Sequence, residues 1–162
     1  MRPRPHATTT EVRWSPEAQD ARNLALEIAG LRPATVVDTM PFGIVLEPGE
    51  VASRMTWLWL SIRRGGIWTA AEWCQVLVTD RRLVCRPPDR ALASFWWGAV
   101  VGFEPDLVGG SVVLDFGDGR PRGLAGPTIA LVAVAGTASI HGLGALVRHP
   151  ALLPLQTRRY ES

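Results

Sequence analysis

Lysine is missing from this chain: all 17 residues counted as Lys or Arg are arginine. With abundant Ala, Gly, Pro and Val, this is the composition expected of a GC-rich bacterial genome, since arginine codons are GC-rich and lysine codons are not. An arginine pair here is therefore weak evidence for a binding site. Cysteine is scarce as well. Cys74 and Cys85 are too few for a disulfide framework or a zinc site. The three histidines, His6, His141 and His149, have no Cys, Asp or Glu at ligand or triad spacing. Glycine is plentiful, yet neither a P-loop nor a strand-linked G-x-G-x-x-G occurs. The acidic pairs Glu104/Asp106 and Asp115/Asp118 flank turns and lack the alternating oxygen ligands of a calcium loop; Gly117-Asp118-Gly119 is ordinary hairpin chemistry. No cofactor and no metal are expected, and the reading is non-enzymatic. Net charge is only +2 despite a pI of about 8.9, so no nucleic-acid partner is expected. Met1-Arg-Pro-Arg-Pro-His is followed by polar residues rather than an apolar core, unlike a signal peptide. The expected location is the cytoplasm or the cytoplasmic face of a membrane.

What is present suits one domain: 162 residues, 47% hydrophobic. Residues 1–14 read as a disordered arm rich in Pro, Arg and Thr. Ser15-Pro16-Glu17 starts a helix over 15–31, with serine as cap, proline at the first position and glutamate at the positive end. Residues 32–43 form a connector. Extended segments follow at 51–63, 73–79, 83–86, 92–97, 99–104, 111–116 and 122–125, separated by glycine-rich turns. Residues 127–147 form a second helix, and 148–162 a C-terminal tail. In the first strand Met55, Trp57 and Trp59 share one face, with Leu58, Leu60 and Ile62 on the other. A two-residue turn at Asp80-Arg81 places Cys85 opposite Val76 and diagonal to Cys74. That is about 7–8 Å away, too far for an easy disulfide.

Leu46-Glu47-Pro48-Gly49-Glu50, Leu77-Val78-Thr79-Asp80-Arg81-Arg82-Leu83, the strand pair 92–104 and the hairpin 115–126 follow one another in a familiar order. Residues 44–147 thereby resemble bacterial PH-like and GRAM-like domains. The resemblance implies a mainly β fold: a bent antiparallel sheet or partial barrel of about seven strands, capped by a C-terminal helix. Here an extra N-terminal helix precedes it. It further implies an interaction or membrane-surface module. The phosphoinositide motif of the wider family is not reproduced. Arg63 and Arg64 could supply its first part, but the next strand offers Glu72, Trp73, Cys74 and Gln75 instead of a basic pair.

Six tryptophans fall between 57 and 97, and such aromatic density suits protein and membrane interfaces alike. Trp96 and Trp97 are adjacent, so in a strand they point to opposite faces. The candidate binding residues are Arg63, Arg64, Arg81, Arg82, Trp57, Trp59, Trp96 and Trp97, facing a protein or a membrane surface. The oligomeric state is not readable. One alternative concerns residues 128–147, an uncharged stretch apart from His141. It packs on the sheet or, at about twenty residues, spans a bilayer. A second alternative is an enzyme with an unrecognised site.

Overall fold

A computed structural model describes residues 14–156. The expected disordered arm, apart from Trp14, and residues 157–162 of the tail lie outside the described residues. Helix α1 runs Pro16–Ile28. Ser15 caps it, its side chain accepting from the Ala18 N–H at 3.2 Å. The strands are β1 Ala52–Arg64, β2 Ile67–Trp68, β3 Glu72–Thr79, β4 Arg82–Arg86, β5 Ala93–Trp96, β6 Gly102–Asp106, β7 Ser111–Asp115 and β8 Arg122–Ala125. They are followed by α2 Ile129–His141 and two one-turn helices, α3 Ala145–Arg148 and α4 Leu153–Gln156.

Every pairing is antiparallel, in the order β5-β4-β3-β1-β8-β7-β6, with β2 added to the end of β1. The first strand thus joins a four-strand meander to a three-strand one. The sheet also bends on itself. Phe95 of β5 and Phe116, just after β7, lie 5.8 Å apart although their strands are far apart in the order. The Arg122 guanidinium lies over both rings. The fold is therefore mainly β, a bent antiparallel sheet with helices, as the resemblance implied.

The inner face of the sheet holds the main core: Leu58, Leu60, Cys74, Val76, Val78, Leu83, Cys85, Val112, Leu114 and Leu124. Helix α2 covers this face, and α1 covers α2 with Ala21 and Leu24, both fully buried. That layering explains why α2 is apolar all round. Ile129 and every residue from Leu131 to Thr137 are buried, because one side meets the sheet and the other meets α1. Gly136 permits the closest approach. A Cβ there would come within 2.6 Å of the Phe103 ring and 3.1 Å of the Trp97 ring.

Three expectations are corrected. The second helix does not run to 147. It stops at Gly142, whose φ of 88° suits glycine, and resumes as a separate turn. No helix among the described residues is long and apolar enough to cross a membrane, which removes the spanning reading of 128–147. Nor does a strand begin at 99. Trp97–Ala99 form a 3-10 turn that folds Trp97 into the core, and β6 starts at Gly102. The hairpin register is as expected, with Val76 opposite Cys85. Both cysteines are free and fully buried. Burial pushes both thiols up from their ordinary range, Cys85 furthest.

Candidate functional site

A bulge between Ala52 and Arg54 reverses the facing of β1. Arg54 turns toward the helices, where it hydrogen-bonds to Asp20 at 3.1 Å and to both oxygens of Glu27. The arginine's hydrogen bond holds the Glu27 carboxyl down at about 2. Beyond the bulge Met55, Trp57 and Trp59 face outward.

The outer face is covered at one end only. Val37 and Phe42 of the connector, with Ile44 and Leu46 just after it, pack over Ala52, Leu77 and Val84, forming a second small core. The segment is tied down by an ion pair that explains two of the sequence motifs. Arg82 donates from Nε to Glu50 Oε2 and from Nη2 to Glu50 Oε1, each at 2.9 Å. The Thr79 hydroxyl donates to Glu50 Oε2 at 2.7 Å and accepts from the Arg82 N–H at 2.9 Å. The Glu47 N–H donates to the same carboxylate. Burial alone would raise the Glu50 pKa; these hydrogen bonds override it and hold the carboxyl below its ordinary value. Gly49, with φ of 79°, makes the turn that delivers Glu50.

The other end of the outer face is open, and it is made of tryptophan. Trp73 of β3 lies directly opposite Trp59 of β1 in the register. Its ring centroid is 4.9 Å from that of Trp59 and 6.1 Å from that of Trp57, nearly parallel to the latter. Trp68 of β2 folds back over Gly123 of β8, where a Cβ would come within 3.1 Å of its ring. These four rings remain 39–47% exposed. Tryptophan presents some 150–250 Å² of side chain, so four of them half-exposed offer on the order of 400 Å², the size at which patches on monomers acquire functions. Beside Trp57 and Trp73 runs an open groove of about 540 Å³, whose far wall is the Pro87–Arg90 loop and whose rim carries Arg86 and Arg90. Arg90 is ion-paired with Glu72.

The eight candidate residues fall in four places. Trp57 and Trp59 are central to the open face. Arg63 and Arg64 stand exposed at the tip of the β1–β2 hairpin, beside that face. Arg81 is exposed at the opposite end of β3, so the arginine pairs do not share one rim. Arg82, Trp96 and Trp97 are structural: Arg82 is buried against Glu50, Trp96 is half-buried with the Arg82 guanidinium 4.4 Å above its ring, and Trp97 is buried and donates from Nε1 to the Thr79 carbonyl. Trp68 and Trp73 complete the face. Both were visible as tryptophans, but the strand register that places them beside Trp57 and Trp59 is a long-range property.

A second, apolar cleft of about 310 Å³ lies between α1, α2 and the start of β1. Its carboxylates are already engaged, Glu27 by Arg54 and Asp80 by the Val51 N–H. The acidic turn residues cap their own turns. Asp106 accepts from the Gly109 N–H, Asp115 from the Gly117 N–H and Asp118 from the Arg120 N–H. Among the described residues no three His, Cys, Asp or Glu side chains converge on a point that could hold a metal ion.

No family model matches the chain, and no curated protein matches it. Among solved structures it is similar to one titled "Vps36 N-terminal PH domain", at 15% identity and a TM-score of 0.44, over 70% of this chain and 94% of that one.

Proposed function

We propose that this chain is a non-enzymatic interaction module. Residues 44–147 form its body, α1 is an accessory cover, and the tryptophan face of β1, β2 and β3 is its working surface. One observation carries the reading. Trp57 and Trp59 are 47% and 46% exposed while Leu58 and Leu60, alternating with them on the same strand, are 0% and 3% exposed. Large aromatic rings left half in water are characteristic of surfaces that gain their burial from a partner. The resemblance of 44–147 to PH-like domains supports the same class of role.

The test is retention of cell material by the immobilised full chain, with soluble and membrane fractions applied separately. The wild-type chain retains a component of one fraction. The Trp57→Ala/Trp59→Ala variant loses it by about tenfold or more, as expected for hot-spot rings worth ~2 kcal/mol or more. Equal retention by wild type and variant would overturn the assignment of this face.

A further inference from the structure

We propose that the cleft between α1, α2 and the start of β1 binds a small aliphatic amine, its alkyl chain held between the two helices and its ammonium at Asp80. One wall of this cleft is α1, which lies outside residues 44–147, so the PH-like resemblance assigns no ligand to it.

The space arises from side-chain size. Leu24 and Ile28 of α1 line it on one side, and only Ala135, Ala138 and Ser139 of α2 line it on the other. The short side chains leave about 310 Å³ between the helices, within the range of small-molecule sites. The inner residues are sealed, with Leu24, Thr79 and Ala135 at most 5% exposed. The rim is not. Val51 is 45% exposed and Leu143 56%, although both are large and aliphatic. An alkyl chain seated here takes that surface out of water and supplies the contacts that the alanines do not reach.

Polar groups decide the headgroup. The donors around the cleft are spent within the protein. Ser53 Oγ donates to the Val78 carbonyl and Ser139 Oγ to the Asp80 carbonyl, each at 3.3 Å. The Thr79 hydroxyl donates to Glu50, and the Thr35 N–H and hydroxyl both serve Glu27. A carboxylate or phosphate ligand meets no free donor among these groups.

An acceptor, by contrast, is left over. Asp80 takes the Val51 N–H at 2.8 Å, a bond that leaves room on the carboxylate for further donors. It forms no ion pair among the described residues. The neighbouring Arg81 guanidinium turns instead toward Gly49, where it stands 3.1 Å from the position of a Cβ. Glu27, the other carboxylate of the lining, is taken by Arg54. Helix α1 ends beside the cleft at Ile28 with no basic residue in its last turn, so the negative end of its dipole is unopposed by a side chain of its own. Asp20, Glu27 and Asp80 outnumber Arg54 and Arg81, and the local field favours a cation.

The experiment titrates the full chain with hexylammonium, hexanol and hexanoate, which share a chain length and differ in charge. Backbone amide NMR shifts locate each ligand and measure its affinity. Hexylammonium gives saturable shifts at Leu24, Ile28, Val51 and Ser139. Hexanol binds at the same place about fivefold more weakly, and hexanoate more weakly still. Butylammonium, shorter by two methylenes, loses about tenfold. Asp80→Asn keeps an oxygen for the Val51 N–H and brings hexylammonium down to the level of hexanol. Ala138→Leu grows into the cleft and abolishes the shifts while the melting transition is retained. Equal affinity for hexylammonium and hexanoate, or hexylammonium binding unchanged by Asp80→Asn, overturns the proposal. An ammonium is also drawn to indole faces, so Trp57→Ala/Trp59→Ala is the control. Unchanged binding is expected, and its loss would move the amine to the tryptophan face and overturn the cleft. Failure of the amine series leaves the docking face standing, because that face is tested by retention of cell material.

Discussion

The two faces of one strand make the most informative comparison in this molecule. On the inner face of β1, Leu58 and Leu60 are buried under α2, among aliphatic neighbours and two thiols. On the outer face, Trp57 and Trp59 stand nearly half exposed against Trp73. Both faces are apolar, so hydrophobicity alone does not separate them. Cover does: α2 and α1 span the inner face, whereas the connector reaches only Ala52, Leu77 and Val84 on the outer one. The Glu50–Arg82 pair anchors the chain just after this cover, and the tryptophans begin beyond that point. Burial on one face supplies the stability that lets the other face carry large rings in water.

Three experiments break or sharpen this contrast. The largest effect is expected from Arg82→Ala, which leaves the Glu50 carboxylate buried without its cation. Breaking such a pair costs ~3–5 kcal/mol, read as a fall of roughly 10 °C in the thermal midpoint. Adding Glu50→Gln to the variant recovers part of that loss, because the stranded charge is gone. A rise in stability in the single variant would show that the pair does not anchor the connector.

The direct contrast is Leu58→Ala against Trp59→Ala. The first opens a cavity in the main core and costs ~2–5 kcal/mol. The second removes a half-exposed ring and costs about 1 kcal/mol, chiefly its contact with Trp73. Urea melts of the two variants measure the difference. Equal losses would mean that the outer face is core and not a docking surface.

The last test concerns the attachment of α1. Glu27 has its pKa held at about 2 against an ordinary value of 4.5. A carboxyl depressed on folding contributes stability that is fully present above its unfolded pKa and is lost as pH falls through its folded one. The thermal midpoint of the wild-type chain should therefore drop between about pH 4.5 and pH 2. In Glu27→Gln the midpoint starts lower and falls less over that window. Parallel curves for the two chains would show that the Arg54 contact does not hold α1 in place.

Much of the fold was legible in the sequence. The α1 start rests on Ser15-Pro16-Glu17, a local capping pattern. The hairpin at Asp80-Arg81 and the pairing of Val76 with Cys85 follow from a two-residue turn. The break at Gly142 was less legible, because glycines at 136, 142 and 144 look alike in a sequence. Tertiary contact separates them. Gly136 sits under the Phe103 and Trp97 rings inside the helix, and Gly142 takes the positive φ that ends it. The candidate site was half legible. Period-two alternation picked out Trp57 and Trp59, whereas the pairing of arginines and the adjacency of two tryptophans pointed to Arg82 and Trp97, which the fold commits to its interior.

The sequence by itself determined what is local or additive: the cap of α1, the turns, the alternation of β1, and a composition without metal or triad spacing. Those depend on neighbours a few residues apart, whose geometry the backbone fixes. Tertiary structure alone decided which apolar surface is covered. It made 129–141 a middle layer between the sheet and α1. It sent the Arg82 charge to Glu50, and it gathered Trp57, Trp59, Trp68 and Trp73 on one uncovered face. Burial depends on which distant segment arrives to exclude water, and no periodicity within a strand or helix encodes that arrival.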